Sequence, residues 1–185
     1  MRIVAGKFRG KALLSPSDES VRPTSDRARE AMFNILASRI GVHLDGVKVL
    51  DLFAGTGALG LEALSRGAQS AVFVDTGAES RGLVRDHIQE FGIAGIAKLL
   101  RRDATALGPA GTLGPFDLVF LDPPYNKGLG ELALASLREG NWLSPDATIV
   151  LEEASEATVA LPEGFALDDR REYGAAALHF IRPAP

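Results

Sequence analysis

The stretch "VKVLDLFAGTGALG", residues 47–60, decides the fold. Its first part, 47–54, is an almost unbroken apolar run, the pattern of a strand covered on both faces of a parallel sheet. Its second part sets Gly55, Gly57 and Gly60 in a G-x-G-x-x-G frame directly behind that strand. Glycine there lets the backbone turn tightly and approach a ligand closely. "GLEALSRG" continues as a helix that closes at Gly67. A strand, a glycine turn and a helix in this order open a βαβ unit.

Further along, "SAVFVD" (70–75) is a second buried strand, 78–91 a helix weakened by Gly82, and "AKLLRRD" (97–103) a third strand. After a Gly/Pro-rich loop (108–115) come "FDLVFLD" (116–122) as a fourth strand, a helix over 129–139 and "ATIVLEE" (147–153) as a fifth. "FALDDRREY" and "AAALHFIR" flank Gly174 as a terminal antiparallel pair. Upstream, residues 3–14 fit a short hairpin and "SPSDESVRPTSD" (15–26) reads as a loop. Thr24, Ser25 and Asp26 are candidate caps for a following helix whose buried face is Ala28, Met32, Ile35 and Leu36. Alternating strands and helices imply a doubly wound α/β sheet. Ligands bind such sheets beyond the carboxyl ends of the strands, near the reversal of strand order. That rule singles out 51–60, Asp75, Asp103 and 122–125.

Composition narrows the classes. The 185 residues are 46% hydrophobic and 24% charged, in the ordinary globular range. No apolar run approaches a membrane span, and "MRIVAGKFRGK" lacks the apolar stretch of a secretory signal. With no cysteine there is no disulfide or thiolate chemistry, and His43, His87 and His179 show no metal-ligand spacing. The expectation is a cytoplasmic, monomeric protein with no membrane or metal partner. Net charge is −4, yet Arg2, Lys7, Arg9 and Lys11 give residues 1–11 a local +4. A basic arm on an acidic body suggests a polyanion at one end; a solvated charged hairpin is the plainer alternative.

The glycine loop and its neighbours point to an adenosine-containing cofactor. Asp75, twenty residues after Gly55, can accept both hydroxyl protons of a ribose. A P-loop would need Lys and Ser/Thr after the last glycine, and Leu61 and Glu62 stand there instead. On the glycines alone NAD stays open. Asp51 ends the first strand, where an acid would repel a pyrophosphate and suit a cation. S-adenosylmethionine has an amino group, a sulfonium and no phosphate. Asp103 is positioned to accept the adenine amino group; Phe53 and Ala104, beside these acids, complete the expected contacts.

The fourth strand ends in "DPPY", Asp122–Pro123–Pro124–Tyr125. The lone pair of an exocyclic base nitrogen is delocalised into the ring. Accepting hydrogen bonds from both of its N–H groups makes it more pyramidal and more nucleophilic. The Asp122 carboxylate is one such acceptor. The Pro123 carbonyl is the other, because Pro124 biases the preceding residue to extended geometry. Tyr125 offers a flat face for an extruded base, worth roughly 1–3 kcal/mol.

"DPPY" resembles the [DN]-P-P-[YF] motif of amino-group methyltransferases acting on nucleic-acid bases. "RIVAGKFRGKAL", "RPTSDRAREAMFNIL", "DLFAGTGALGLEALSRGA", "FDLVFLDPPY" and "NWL" occur in the order found in the RsmD-type methyltransferases, which modify the N2 amino group of a guanine in 16S ribosomal RNA. The resemblance covers nearly the whole chain, and the "RPTSDRARE" block is its most specific part. It implies an α/β, Rossmann-like class I S-adenosylmethionine-dependent methyltransferase fold. Its sheet would be seven-stranded and mostly parallel, with a terminal antiparallel hairpin and a small N-terminal β-hairpin extension. Residues 1–25 would form an RNA-contacting arm and 26–185 the methyltransferase domain. Asp51, Phe53, Gly55, Gly57, Asp75, Asp103, Ala104 and Asp122 would bind S-adenosyl-L-methionine. Asp122, Pro123 and Tyr125 would be catalytic. Arg2, Lys7, Arg9, Lys11, Arg22, Thr24, Arg27, Pro124 and Tyr125 would meet small-subunit ribosomal RNA, within an assembling particle. Asp75 departs from the Glu usual in the family, and "TGAES" follows it in place of a more charged segment. An adenine-amino methyltransferase and a non-catalytic nucleotide-binding protein are the alternatives.

Overall fold

The computed structural model describes residues 1–17 and 25–185. In chain order the elements are α1 (Asp26–Ile40), β1 (Lys48–Leu52), α2 (Ala58–Ser65), β2 (Ser70–Val74), α3 (Ala78–Glu90), β3 (Ala97–Leu100), β4 (Phe116–Leu121), α4 (Leu129–Glu139), β5 (Leu143–Ala154), β6 (Phe165–Tyr173) and β7 (Ala176–Pro183). The strands form one sheet in the order β3-β2-β1-β4-β5-β7-β6. β3, β2, β1, β4 and β5 run parallel, and β7 pairs antiparallel with both β5 and β6. The order reverses between β1 and β4, so a crevice opens at their carboxyl ends.

Period-two alternation sends successive residues of the central strands to opposite faces. On one face Val49, Phe73, Leu118, Phe120 and Val150 pack with Met32, Phe33 and Leu36 of α1, with Leu61 and Leu64 of α2, and with Val84 of α3. On the other, Leu50, Leu52, Val72, Val119, Leu121 and Ile149 pack with Ala133, Leu134 and Leu137 of α4 and with Trp142. Burying each large aliphatic side chain contributes about 1.5–3 kcal/mol, so both faces hold the sheet between its helices. Gly60 makes a close contact here: a Cβ there would lie 2.4 Å from the Phe73 ring, so any other residue would have to push that ring or α2 aside. No helix among the described residues is long and apolar enough to cross a membrane.

The expected helices and sheet strands are present with three adjustments, and the expected N-terminal hairpin is not formed as a strand pair. β3 stops at Leu100 and not at 103, because Asp103 closes a turn: its Oδ1 accepts from the Thr105 amide (2.8 Å) and hydroxyl (2.7 Å). β5 begins at Leu143, four residues earlier than its apolar run suggests. Leu143 pairs with Phe116 and the register then slips to Leu118–Thr148, which leaves Pro145 in a bulge where its missing N–H costs nothing. α1 starts at a Ser25 cap whose side chain accepts from the Ala28 amide, but its buried face is Arg29, Met32, Phe33 and Leu36, with Ala28 and Ile35 only half-buried. The hairpin expected over 3–14 is a turn-rich loop closed by a single bridge, Arg2 to Ala12.

That N-terminal loop is built into the domain. Ile3 and Leu13 are buried in the α1–α2–α3 core. The Val4 and Ala5 amides donate to the two carboxylate oxygens of Glu62 at 2.9 and 3.0 Å, and the Lys7 amide donates to the Ser65 carbonyl. Phe8 packs on Phe91, with ring centroids 5.0 Å apart.

Candidate active site

A cavity of about 560 Å³ opens at the carboxyl ends of β1, β2, β4 and β5. The turn after β1 forms its floor. Asp51 is 1% exposed, and its Oδ2 accepts from the Gly60 amide at 3.0 Å. Burial, aided by the nearby Asp75 charge, pushes the Asp51 carboxyl up to about 8 in spite of the Gly60 bond. Desolvation penalises the ionised form, which a cation arriving beside Asp51 would stabilise. Phe53 holds a left-handed backbone at φ 55° and forms part of the wall. A bulky residue in that region is a strained outlier that the surrounding fold must enforce.

Asp75 fastens the glycine loop to the end of β2. Its Oδ2 accepts from the Gly55 amide (2.9 Å) and its Oδ1 from the Gly77 amide (2.8 Å). Each oxygen keeps a second lone pair for a ligand hydroxyl. A Cβ on Gly55 would meet nothing nearer than the Phe53 carbonyl at 4.0 Å, so the loop offers open backbone to the cavity. Gly57 does not line the cavity: it caps α2 at φ 81° and backs onto Phe73 and Val84. Its place in the glycine frame is one of turn and packing. A smaller pocket of about 50 Å³ adjoins the first, lined by Asp103, Ala104 and Arg102 and sharing Phe53, Asp75 and Thr76 with it. The two Thr105 bonds hold the Asp103 carboxyl below its ordinary range.

Asp122, Pro123, Pro124 and Tyr125 form the opposite wall. The Tyr125 hydroxyl donates to Glu152 Oε2 at 2.8 Å, which fixes the ring's orientation. Glu152 also lines the cavity and was not among the residues the motifs suggested, nor were Met1 and Pro16. Glu152 lay hidden in "ATIVLEE", where it reads as one acid at the end of an apolar strand. Of the basic candidates, Arg2, Lys7, Arg9 and Lys11 are exposed on the N-terminal loop, and Arg27 on the first turn of α1; none lines the cavity. Arg2 Nη1 is tied to the Gly10 carbonyl at 2.7 Å, and Lys11 Nζ lies 4.8 Å over the Phe91 ring. Arg22 and Thr24 fall outside the described residues.

His87 joins this loop to the cavity. Leu14 donates its amide to Nε2 at 2.8 Å, so the ring's proton sits on Nδ1 and is donated to the Thr56 carbonyl at 2.9 Å. Thr56 belongs to the cavity lining. Burial lowers the His87 pKa and favours this neutral form.

Asp51, Asp75, Asp122 and Glu152 surround the cavity, and no Lys or Arg lines it among the described residues. Such a lining repels a pyrophosphate and fits a ligand with positive charge and hydroxyl donors. The 3-2-1-4-5-7-6 sheet with this cavity at its switch point is the class I methyltransferase fold. A structure solved as "Putative methyltransferase yhhF" from Escherichia coli superposes with a TM-score of 0.83 at 31% identity, covering 99% of this chain and 97% of that one. A family model described as "Conserved hypothetical protein 95" matches residues 1–182, and the chain belongs to that family, the RsmD-type family its motifs resemble. It is 36% identical to Ribosomal RNA small subunit methyltransferase D of Escherichia coli (strain K12) over 181 residues, covering 96% of this chain and 87% of the relative. It is 34% identical to the protein of that name from Haemophilus influenzae over 169 residues, covering 90% and 86%.

Proposed function

We propose that this chain transfers a methyl group from S-adenosylmethionine to the exocyclic N2 amino group of a guanine in small-subunit ribosomal RNA. The observation that carries the reading is the single acidic cavity shared by the glycine loop and the DPPY segment. Membership of the family directs it to ribosomal RNA.

In this reading Asp51 holds the cofactor's amino group, Asp75 the ribose hydroxyls, and Phe53, Asp103 and Ala104 the adenine side. The bound cofactor supplies an electrophilic methyl group on a cationic sulfur. The rest is done by the chain. Asp122 and the Pro123 carbonyl accept the two N–H bonds of the substrate amine and aim its lone pair into the cavity. Tyr125, anchored by Glu152, stacks on the extruded base. The surplus proton leaves the nitrogen after transfer, towards Asp122 or solvent, so no base of tuned pKa is required. Positioning and electrostatics supply most of the acceleration.

The exposed cations of the N-terminal loop contact RNA phosphates. Four such charges within a chain of net −4 give weak affinity for free RNA, so the substrate is an assembling ribonucleoprotein particle. The test is transfer of labelled methyl into unmodified small subunits, their naked RNA and DNA, followed by mapping of the modified base. Transfer to a guanine N2 in the particle, lost in Asp122→Ala, is expected. Transfer confined to DNA or adenine, or retained in the variant, overturns the reading.

A further inference from the structure

Glu152 has a place in the cavity that the proposed chemistry uses only through Tyr125. In the parallel pairing of β4 with β5, Leu121 stands opposite Leu151. The next residue on each chain is therefore Asp122 and Glu152, side by side on strands about 4.8 Å apart. Both line the cavity. Glu152 is 9% exposed and pairs with no Lys or Arg among the described residues. The Tyr125 hydroxyl is the group that bonds its carboxylate, and it fixes Oε2. A buried carboxylate without a cation is costly, and it becomes favourable when a strong donor arrives.

We propose that Glu152 is the specificity-determining residue for the base, accepting the ring N1–H that flanks the amino group in guanine. This rests on the reading above and deepens it. Guanine presents three hydrogens on one edge, two from the N2 amine and one from N1. The wall presents three acceptors: the Asp122 carboxylate, the Pro123 carbonyl and the Glu152 carboxylate. In adenine the nitrogen beside the amine carries a lone pair in place of a proton. Against Glu152 that lone pair meets negative charge, and the base is rejected. A hydrogen bond to a charged group that the wrong substrate cannot make corresponds to about a ten- to hundredfold preference.

2-Aminopurine separates the two contacts, since it keeps the 2-amino group and lacks the N1 proton. Methyl transfer is measured into small-subunit particles carrying guanine or 2-aminopurine at the mapped position, as the ratio of kcat/KM. The wild-type protein is expected to favour guanine by about ten- to a hundredfold. Glu152→Gln, whose amide can donate to the bare N1, is expected to bring the ratio near one or invert it, with an unchanged melting temperature. Tyr125→Phe, which keeps the carboxylate, should retain the preference. Equal wild-type transfer to both bases overturns the proposal without any variant, and so does a Glu152→Gln protein whose losses on the two bases are equal. If the wild-type protein modifies no guanine N2 at all, the parent reading falls and this one with it.

Discussion

The Arg29 guanidinium meets the Glu62 carboxylate inside the protein, Nε to Oε1 at 3.2 Å, with neither side chain exposed. Glu62 also accepts from the Val4 and Ala5 amides and from Arg66 Nε at 3.0 Å, while Arg29 Nη2 bonds the Arg2 carbonyl and, at 2.9 Å, Asp26. One buried ion pair thus pins the N-terminal loop to α1 and α2. Removing Arg29 takes away the fully buried partner but leaves Glu62 its Arg66 Nε and two amides, so the cost lies at the low end of such losses, about 3 kcal/mol. Arg29→Met should therefore lower the melting temperature by roughly 10 °C, at about 2–4 °C per kcal/mol for a chain of this size. Limited proteolysis should then cut within residues 1–14; a loop as resistant as the wild type would show that the pair is not its anchor.

Asp51 sets stability against binding. Its carboxyl is raised to about 8 from an ordinary 3.8, so between those values the folded state binds the extra proton. Its effect on stability is therefore unfavourable and grows as pH rises through that window. Asp51→Asn should melt a few degrees higher than the wild type at pH 8 without cofactor, with the gain vanishing near pH 4. The same variant should lose S-adenosylmethionine affinity, read by calorimetry. A variant that binds normally would remove Asp51 from the site.

His87 works in the opposite sense. Its folded pKa lies below 6.5, so its neutral form contributes stability that is whole above that value and is lost as pH falls from 6.5 towards the folded pKa. Protonation would set an Nε2–H against the Leu14 N–H. Hydrogen exchange should show the Leu14 amide losing protection below about pH 6.5, ahead of the strand amides. Protection independent of pH there would contradict the bond.

Gly60→Ala tests the packing of the glycine loop. Its Cβ would fall 2.4 Å from Phe73 and 3.2 Å from Asp51 Oδ2. Overpacking of this kind costs about 1–3 kcal/mol. Phe73→Leu in the same chain should recover part of the loss in a melting experiment, and a simple sum of two losses would place the strain elsewhere.

At Tyr125 two truncations separate ring from hydroxyl. Tyr125→Ala should reduce kcat/KM by about ten- to a hundredfold through lost stacking. Tyr125→Phe keeps the face and loses the Glu152 bond, so its effect should be several-fold smaller. Equal effects would mean that the hydroxyl, not the face, matters.

The parts of this molecule governed by local pattern were legible in its sequence. Apolar runs located the central strands; Asp75 and Asp122 follow directly on β2 and β4, while Asp51 lies inside β1, one residue before its end. What depends on long-range register was not legible. Glu152 reaches the cavity because β5 lies beside β4, a pairing of residues thirty positions apart. Arg29 was absent from the buried face expected of α1, and only the approach of Glu62 makes its burial tolerable. The glycine frame could not say that Gly57 and Gly60 serve packing while Gly55 faces the ligand space.

The bonds that fix the N-terminal loop span long stretches of chain: Val4 reaches Glu62 across 58 positions, and Leu14 reaches His87 across 73. Closing loops of that length is entropically slow, and contacts of such separation form late in folding. During synthesis the loop must wait for α2 and α3 before it can settle. Met1, which bonds Leu13 through its backbone, reaches the cavity wall only with that loop. The centre of the sheet waits on a contact of the same reach, Leu50 with Val119 in the β1–β4 pairing, so loop, sheet and cavity are completed together and catalytic competence should arrive only with the last of these long-range closures.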